Sequence, residues 1–253
     1  MGKYNSSIYR VRPLMEVVEN NPHAFELLLG LVNIKVSGIP QIYCFDGESK
    51  HEKKLKPSKE HLSKLIDYLA VKNFNGVQVS NLKRQKLFLG NNNDRNIARQ
   101  EAQSELEANY DSLCDSSKAW YIFEGFTSPD IFIEGEDYII ICEGKWTESH
   151  ITVETTNLLS SDYEYRNQMV RHIQGALNYS DKKVYAFYIV DKECGYLGYL
   201  TKGAFEKQLS KETIKLSDTE KEKILSAFYG YTTWQDIYYV IPQINFKSKN
   251  HIQ

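Results

Sequence analysis

Residues 128–146 read SPDIFIEGEDYIIICEGKW. Two apolar runs flank the polar stretch EGED. The run Tyr138-Ile139-Ile140-Ile141-Cys142 predicts a buried strand, and Ile131-Phe132-Ile133 predicts its partner. With Glu136 and Asp137 as the two turn residues of a hairpin, Ile131 pairs with Cys142, Phe132 with Ile141 and Ile133 with Ile140. Apolar residues meet apolar residues at every step, so the register is self-consistent. One step further along, Asp130 falls opposite Glu143, with β-carbons about 4.5–5.5 Å apart. The two-residue period of a strand puts Lys145 on the same face as Glu143.

A buried strand normally sheds charge, so charges gathered at its end need a physical reason. Two carboxylates placed opposite each other repel, and without a counter-charge one of them should resist ionisation. A divalent cation removes the conflict. Hard oxygen donors favour magnesium or manganese, and magnesium keeps waters and substrate phosphate in its remaining positions. Lys145 would project beside that ion, where it could steer a water or hold a phosphate oxygen. These are the parts of metal-assisted phosphodiester hydrolysis. Glu-x-Lys by itself carries little information: Glu48-Ser49-Lys50 and Glu52-Lys53-Lys54 are two more copies, both in a polar, lysine-rich stretch. The copy at 143–145 differs in following an apolar strand and in having Asp130 upstream. A plain alternative is a salt bridge between Glu143 and Lys145 with no ligand.

Working outward, 253 residues with 42% hydrophobic and 25% charged content fit a globular chain of one large domain, or a core with an appended module. The net charge of −2 supplies no overall field for nucleic acid, so any such attraction must come from a local patch. Cys44, Cys114, Cys142 and Cys194 form no Cys-x-x-Cys pair, which argues against a zinc site of that type. Reduced thiols, a polar start and the lack of a long apolar run lead to the expectation of a cytoplasmic protein with no membrane span.

Element signals follow the same logic. A helix is expected over 21–33, capped by Asn21 with Pro22 at its first position. Extended chain follows to Phe45, broken at Gly38-Ile39-Pro40. Ser58 should cap a helix with Leu62, Leu65, Ile66 and Leu69 on one face. The polar GNNND at 90–94 suits a linker. Beyond it the pattern predicts a helix over 95–113 (Ala98, Ala102, Leu106 and Leu113 as its stripe) and strands at 120–126, 130–133 and 138–146. A helix over 162–179, a strand at 183–190, a helix over 219–230 closed by Gly230 and a strand at 236–242 complete the order. This is an α/β class: a mixed sheet with helices on its faces over 93–253, preceded by an N-terminal α+β extension over 1–92.

SPD, a hairpin and then EGK, in the order helix, three strands, helix, strand, resembles the PD-(D/E)xK nuclease superfamily with its restriction-endonuclease-like αβββαβ core. The resemblance spans roughly 95–245. It implies Asp130 and Glu143 as ligands of magnesium or manganese, the Gly144 carbonyl as a third donor, and Lys145 as the residue that orients the attacking water. It also implies a glutamate from the first core helix. Glu105 borders the apolar stripe more closely than Glu101, and Glu107 points away. In the helix over 162–179, Met169, Val170, Ile173, Ala176 and Leu177 form the apolar face. Glu164, Gln168, Arg171, His172, Gly175 and Asn178 form the other, and the resemblance implies Gln168 and Arg171 as contacts to the substrate backbone. One branch of the superfamily carries Gln-x-x-x-Tyr, where this chain has Gln168 and His172. His172 and His150 read as solvated.

The implied activity is metal-dependent hydrolysis of nucleic acid, DNA above all, in restriction, defence or repair, by a homodimer or a subunit of a complex. Residues 1–92 would serve recognition, with the six lysines between Lys50 and Lys64, and Lys83, Arg84 and Lys86, meeting phosphates. The rival is a catalytically inactive module of the same fold that binds nucleic acid or serves as a subunit of a larger complex.

Overall fold

The structure, a computed structural model, describes residues 7–45, 52–74, 78–146 and 166–245. Its centre is the expected hairpin. Strand β2 (Ile131–Glu134) pairs antiparallel with β3 (Tyr138–Gly144), joining Ile131 to Cys142, Phe132 to Ile141 and Ile133 to Ile140. The Gly135 N–H donates to the Tyr138 carbonyl at 3.0 Å, leaving Glu136 and Asp137 as the two turn residues. Every residue of β3 is buried, as a strand covered on both faces must be.

Three further strands complete a mixed sheet in the order β1-β2-β3-β4-β5. Strand β1 (Ile42–Phe45) runs antiparallel to β2, with Ile42 opposite Glu134 and Phe45 opposite Ile131. Strand β4 (Lys183–Val190) lies parallel to β3 and sets Tyr188 beside Glu143. Strand β5 (Phe228–Thr233) lies parallel to β4.

Two expected strands are corrected. Residues 120–126 form none; Trp120, Tyr121 and Phe123 pack into a helical cluster instead, and the third antiparallel strand is β1. Residues 234–240 are helical, not extended. The Thr233 hydroxyl accepts from the Asp236 N–H at 3.1 Å, and Trp234, Ile237 and Ile241 fall on one buried face at helical spacing. The last strand is β5, drawn from FYGYTT, and Gly230 sits within it at φ +85° instead of ending a helix.

Helices cover both faces. A wide helical turn, Ser7–Val11, leads into α1 (Arg12–Asn20), followed by α2 (Pro22–Gly30), where Asn21 accepts from the His23 and Ala24 N–H groups as its cap. These pack with α9 (Trp234–Val240) on the face that carries Ile131, Ile133, Ile140 and Cys142. The opposite face carries Phe132, Ile139 and Ile141. It is covered by α6 (Gln168–Tyr179), α7 (Lys202–Leu209) and α8 (Asp218–Ala227).

Between β1 and β2 the chain builds α3 (Lys59–Val71), α4 (Leu82–Leu89) and α5 (Asn92–Asn109). Leu62, Leu65, Leu69, Leu87, Ala98, Ala102 and Leu106 form their shared cluster, so the stripe of α5 faces α3 and α4 and not the sheet. A boundary after residue 92 falls at the first residue of α5, which packs on α4, and β1 from the first 92 residues is the edge of the common sheet. Among the described residues no helix is long and apolar enough to cross a membrane.

Candidate active site at the mouth of the hairpin

Glu143 is the next-to-last residue of β3 and is 2% exposed; Lys145, just past the strand, is 7% exposed. The register that buries Ile139 and Ile141 under α6 sends Glu143 and Lys145 to that side as well. Gly144 faces the other way. A β-carbon there would lie 2.9 Å from Val11 Cγ2 and 3.1 Å from Trp234 Cζ2, so only glycine fits so close an approach. The neighbouring backbone is pinned: Lys145 N–H donates to the Ile189 carbonyl at 2.8 Å, and Trp234 Nε1 donates to the Lys145 carbonyl at 2.8 Å.

Two donors hold the Glu143 carboxylate. Lys145 Nζ donates to Oε1 at 2.6 Å, and His172 Nε2 lies 3.1 Å from Oε2. A carboxylate only accepts, so Nε2 carries a proton; in the neutral ring Nδ1 then accepts from the Thr127 hydroxyl, 2.8 Å away. Gln168 Oε1 takes a second bond from Lys145 at 3.2 Å. Asp130 Oδ2 accepts the Gly144 N–H at 2.7 Å, one position beyond the last pair of the ladder. Glu143, Lys145 and Gln168 are thus joined by side-chain hydrogen bonds, and Asp130 meets the backbone between Glu143 and Lys145.

His172 is a correction: it is buried against Thr127 and Glu143, not solvated. The electrostatics also differ from expectation. Burial alone would push the Glu143 carboxyl up, but the Lys145 charge and the His172 bond outweigh it and hold the pKa at about 2. The predicted repulsion between bare carboxylates is thus not what governs Glu143; its counter-charge is internal.

Other expected residues are placed elsewhere. Arg171 is turned into the fold. Its Nη2 donates to the carbonyls of Gly125 (2.8 Å) and Phe126 (3.1 Å), and its Nε lies 3.3 Å from Glu124 Oε1. Glu105 accepts from Lys83 Nζ at 2.5 Å and from Trp120 Nε1 at 2.9 Å, away from the sheet; Glu101 is exposed on the same helix. Neither is brought to Glu143, because α5 packs on α3 and α4. Arg84 donates to the carbonyls of Trp120 and Ile122.

The described lysines of the 50–64 stretch are engaged within the chain. Lys54 pairs with Glu52, Lys59 with Glu107, and Lys64 with Glu60 and Glu220; Lys53 stands over the Tyr179 ring and Lys56 over that of Tyr110. His150, Glu164 and Lys50 lie outside the described residues.

Beside the site runs a buried ionic network that no sequence motif marks. Arg166 binds Glu124 through Nε (3.1 Å) and Nη2 (2.8 Å), and Glu212 through Nη1 (3.1 Å). His61 Nε2 lies 2.9 Å from Glu124 Oε2, and the Asn167 N–H donates to Glu212 Oε1 at 2.8 Å. Burial would raise the Glu124 pKa, yet Arg166 and His61 hold it well below the carboxylate range; for Glu212 burial wins and raises it. The one sequence signal was a glutamate inside the aromatic run WYIFEGF. Its partners His61, Arg166 and Arg171 come from two segments distant in sequence.

Among the described residues, no group of three or more His, Cys, Asp or Glu side chains is arranged to hold a metal ion. No family model matches the chain, and no similar curated protein or solved structure is found.

Proposed function

We propose that this chain is a metal-dependent nuclease that hydrolyses phosphodiester bonds of DNA, in a restriction, defence or repair setting, on a restriction-endonuclease-like sheet. The observation that carries this reading is the convergence of Asp130, Glu143 and Lys145 at the mouth of one hairpin, under the helix that adds Gln168. The order helix α2, antiparallel β1-β2-β3, helix α6 and parallel β4 supports it, with α3–α5 inserted after β1.

The donor set fits magnesium or manganese: Asp130, Glu143 and the Gly144 carbonyl offer hard oxygens, and magnesium takes only one or two carboxylates from protein. When bound, such an ion polarises a phosphoryl oxygen and makes a coordinated water a better nucleophile. The chain's own residues would do the rest. Lys145, held between Glu143 and Gln168, would turn its ammonium to the phosphate oxygen or to the attacking water. His172, fixed by Thr127, would set the rotation of the Glu143 carboxylate.

The test is incubation of linear DNA, single-stranded DNA and RNA with magnesium, and again with EDTA. Cleavage should require the metal, and Lys145→Ala should lower the rate by about 10³, or roughly 4 kcal/mol of transition-state stabilisation. A variant that cleaves within a few-fold of the parent would refute the assignment. One observation favours the rival: both Glu143 oxygens already carry hydrogen bonds. That arrangement suits an inactive nuclease-fold module, which would bind nucleic acid in magnesium without cutting it.

A further inference from the structure

Residues 80–86 read SNLKRQK. Helix α4 starts at Leu82, and the Asn81 side chain caps it by accepting the Arg84 N–H at 3.1 Å. The first turn of a helix carries partial positive charge and favours acids. Here it holds no acid, and Lys83 and Arg84 take those positions. A local rule broken without a visible gain marks a candidate for function.

Lys83 is compensated by Glu105. Arg84 is not. Its Nε and Nη2 donate to the Trp120 (2.7 Å) and Ile122 (3.2 Å) carbonyls, and its guanidinium carbon stands 5.2 Å from the Phe123 ring centre. Burial lowers its pKa, and among the described residues no acidic side chain offsets that. Neutral carbonyls offset only part of the cost of a partly buried cation. Beside it opens a cavity of about 400 Å³ lined by Gln78, Ser80, Asn81, Arg84, Lys118 and Trp120. Among the described residues, two cations and three neutral polar side chains line it, and no carboxylate does.

We propose that this cavity binds a phosphate group, between the Arg84 guanidinium and the Lys118 ammonium, with the side chains of Gln78, Ser80 and Asn81 supplying neutral hydrogen bonds. Planar guanidinium donors match phosphate oxygens, and the positive end of α4 adds to the attraction. The phosphate could be carried by nucleic acid or be free. The site lies on the α3–α5 body and does not rest on the nuclease reading.

The experiment titrates the full chain in EDTA with inorganic phosphate, against chloride at matched ionic strength, and follows melting temperature and amide NMR shifts. Phosphate should bind saturably and shift the amides around residues 78–84. Lys118→Glu alters an exposed side chain and should weaken binding about five-fold or more. Arg84→Gln should abolish it. Because Arg84→Gln also loses two main-chain bonds, Lys118→Glu keeps the test independent of folding. Repeating the titration with a short oligonucleotide separates the sources. If Lys118→Glu weakens it in parallel, the ligand is a backbone phosphate; if only inorganic phosphate is affected, the ligand is free. No saturable response to phosphate, or both variants binding as the parent does, would overturn the proposal.

Discussion

Glu143→Gln keeps the shape of a side chain that is buried between two donors and removes its charge. The parent carboxyl is held at about 2 against an ordinary 4.5. At ~1.4 kcal/mol per pH unit, that gap corresponds to stabilisation on the order of 3 kcal/mol at neutral pH. An independent route gives a similar figure: removing one partner of a buried ion pair costs about 3–5 kcal/mol, because the other is left unpaired. In the variant Lys145 would face a neutral amide at the place where it now donates at 2.6 Å. Urea denaturation at pH 7 in EDTA should show the loss, and melting should fall by roughly 6–12 °C. The sign with pH follows from a depressed carboxylate. The stabilisation is complete above 4.5 and is lost as pH falls toward 2, so parent and variant should converge across that window. Glu143→Gln combined with Lys145→Met should recover much of the loss, since it removes both charges together. A Glu143→Gln variant as stable as the parent, or more stable, would refute the reasoning. Repulsion from Asp130 would then outweigh the attraction of Lys145.

Two further outcomes follow from the same geometry. His172→Ala leaves Thr127 and Glu143 each short of a partner and should cost about 1–3 kcal/mol, whereas Thr127→Val should cost about 1 kcal/mol; urea midpoints at pH 7 check both. Acid should weaken the fold first through His61, whose pKa burial pushes below 6.5, so its contribution is complete above that value and is lost as pH falls through and below it. Glu124, also depressed, should follow below 4.5, while the raised Glu212 acts in the opposite sense. A urea midpoint unchanged between pH 7 and ~5, or one whose pH dependence survives His61→Asn, would count against a buried neutral His61.

The hairpin could be read from the sequence because each of its determinants is local. The two-residue period, the matched apolar pairs and the Glu136-Asp137 turn agree, and only one register satisfies all three. Caps are local too, and Asn21 and Ser58 accept the bonds their positions suggest. Which apolar run joins a sheet is not local. Ile42–Phe45 and residues 120–126 are both rich in aromatic or β-branched residues. The second run is drawn away by the cluster of α3, α4 and α5 and by the ion pairs of Glu124. At the C-terminal end, DIYYVI fits either period, and the Thr233 cap decides for helix. His172 departs from the expected solvated position for a related reason. Its face of α6 is polar in isolation, but Thr127 and Glu143 approach it from elements distant in sequence.

The same distant contacts explain how the inserted helices bear on the site. Apolar packing joins α3, α4 and α5 to one another, and their ties toward α6 include a charged network beside neutral bonds such as Asn178 to the Tyr110 hydroxyl. His61 on α3 meets Glu124, Glu124 grips Arg166, and Arg166 immediately precedes Asn167, the cap of α6. Glu212 closes the circuit by binding both Arg166 and the Asn167 N–H. A buried network of this kind carries a desolvation cost that hydrophobic residues would avoid, but its bonds are directional and fix position where apolar contacts permit sliding. The position fixed is the start of α6, where Gln168 meets Lys145 and, one turn on, His172 meets Glu143. Arg166 thus links the insert to the start of α6, and the Leu55–Thr127 bridge supplies a second link, since Thr127 bonds His172. Sequence proximity ties Arg166 to Gln168, two positions apart, and the fold supplies every other link.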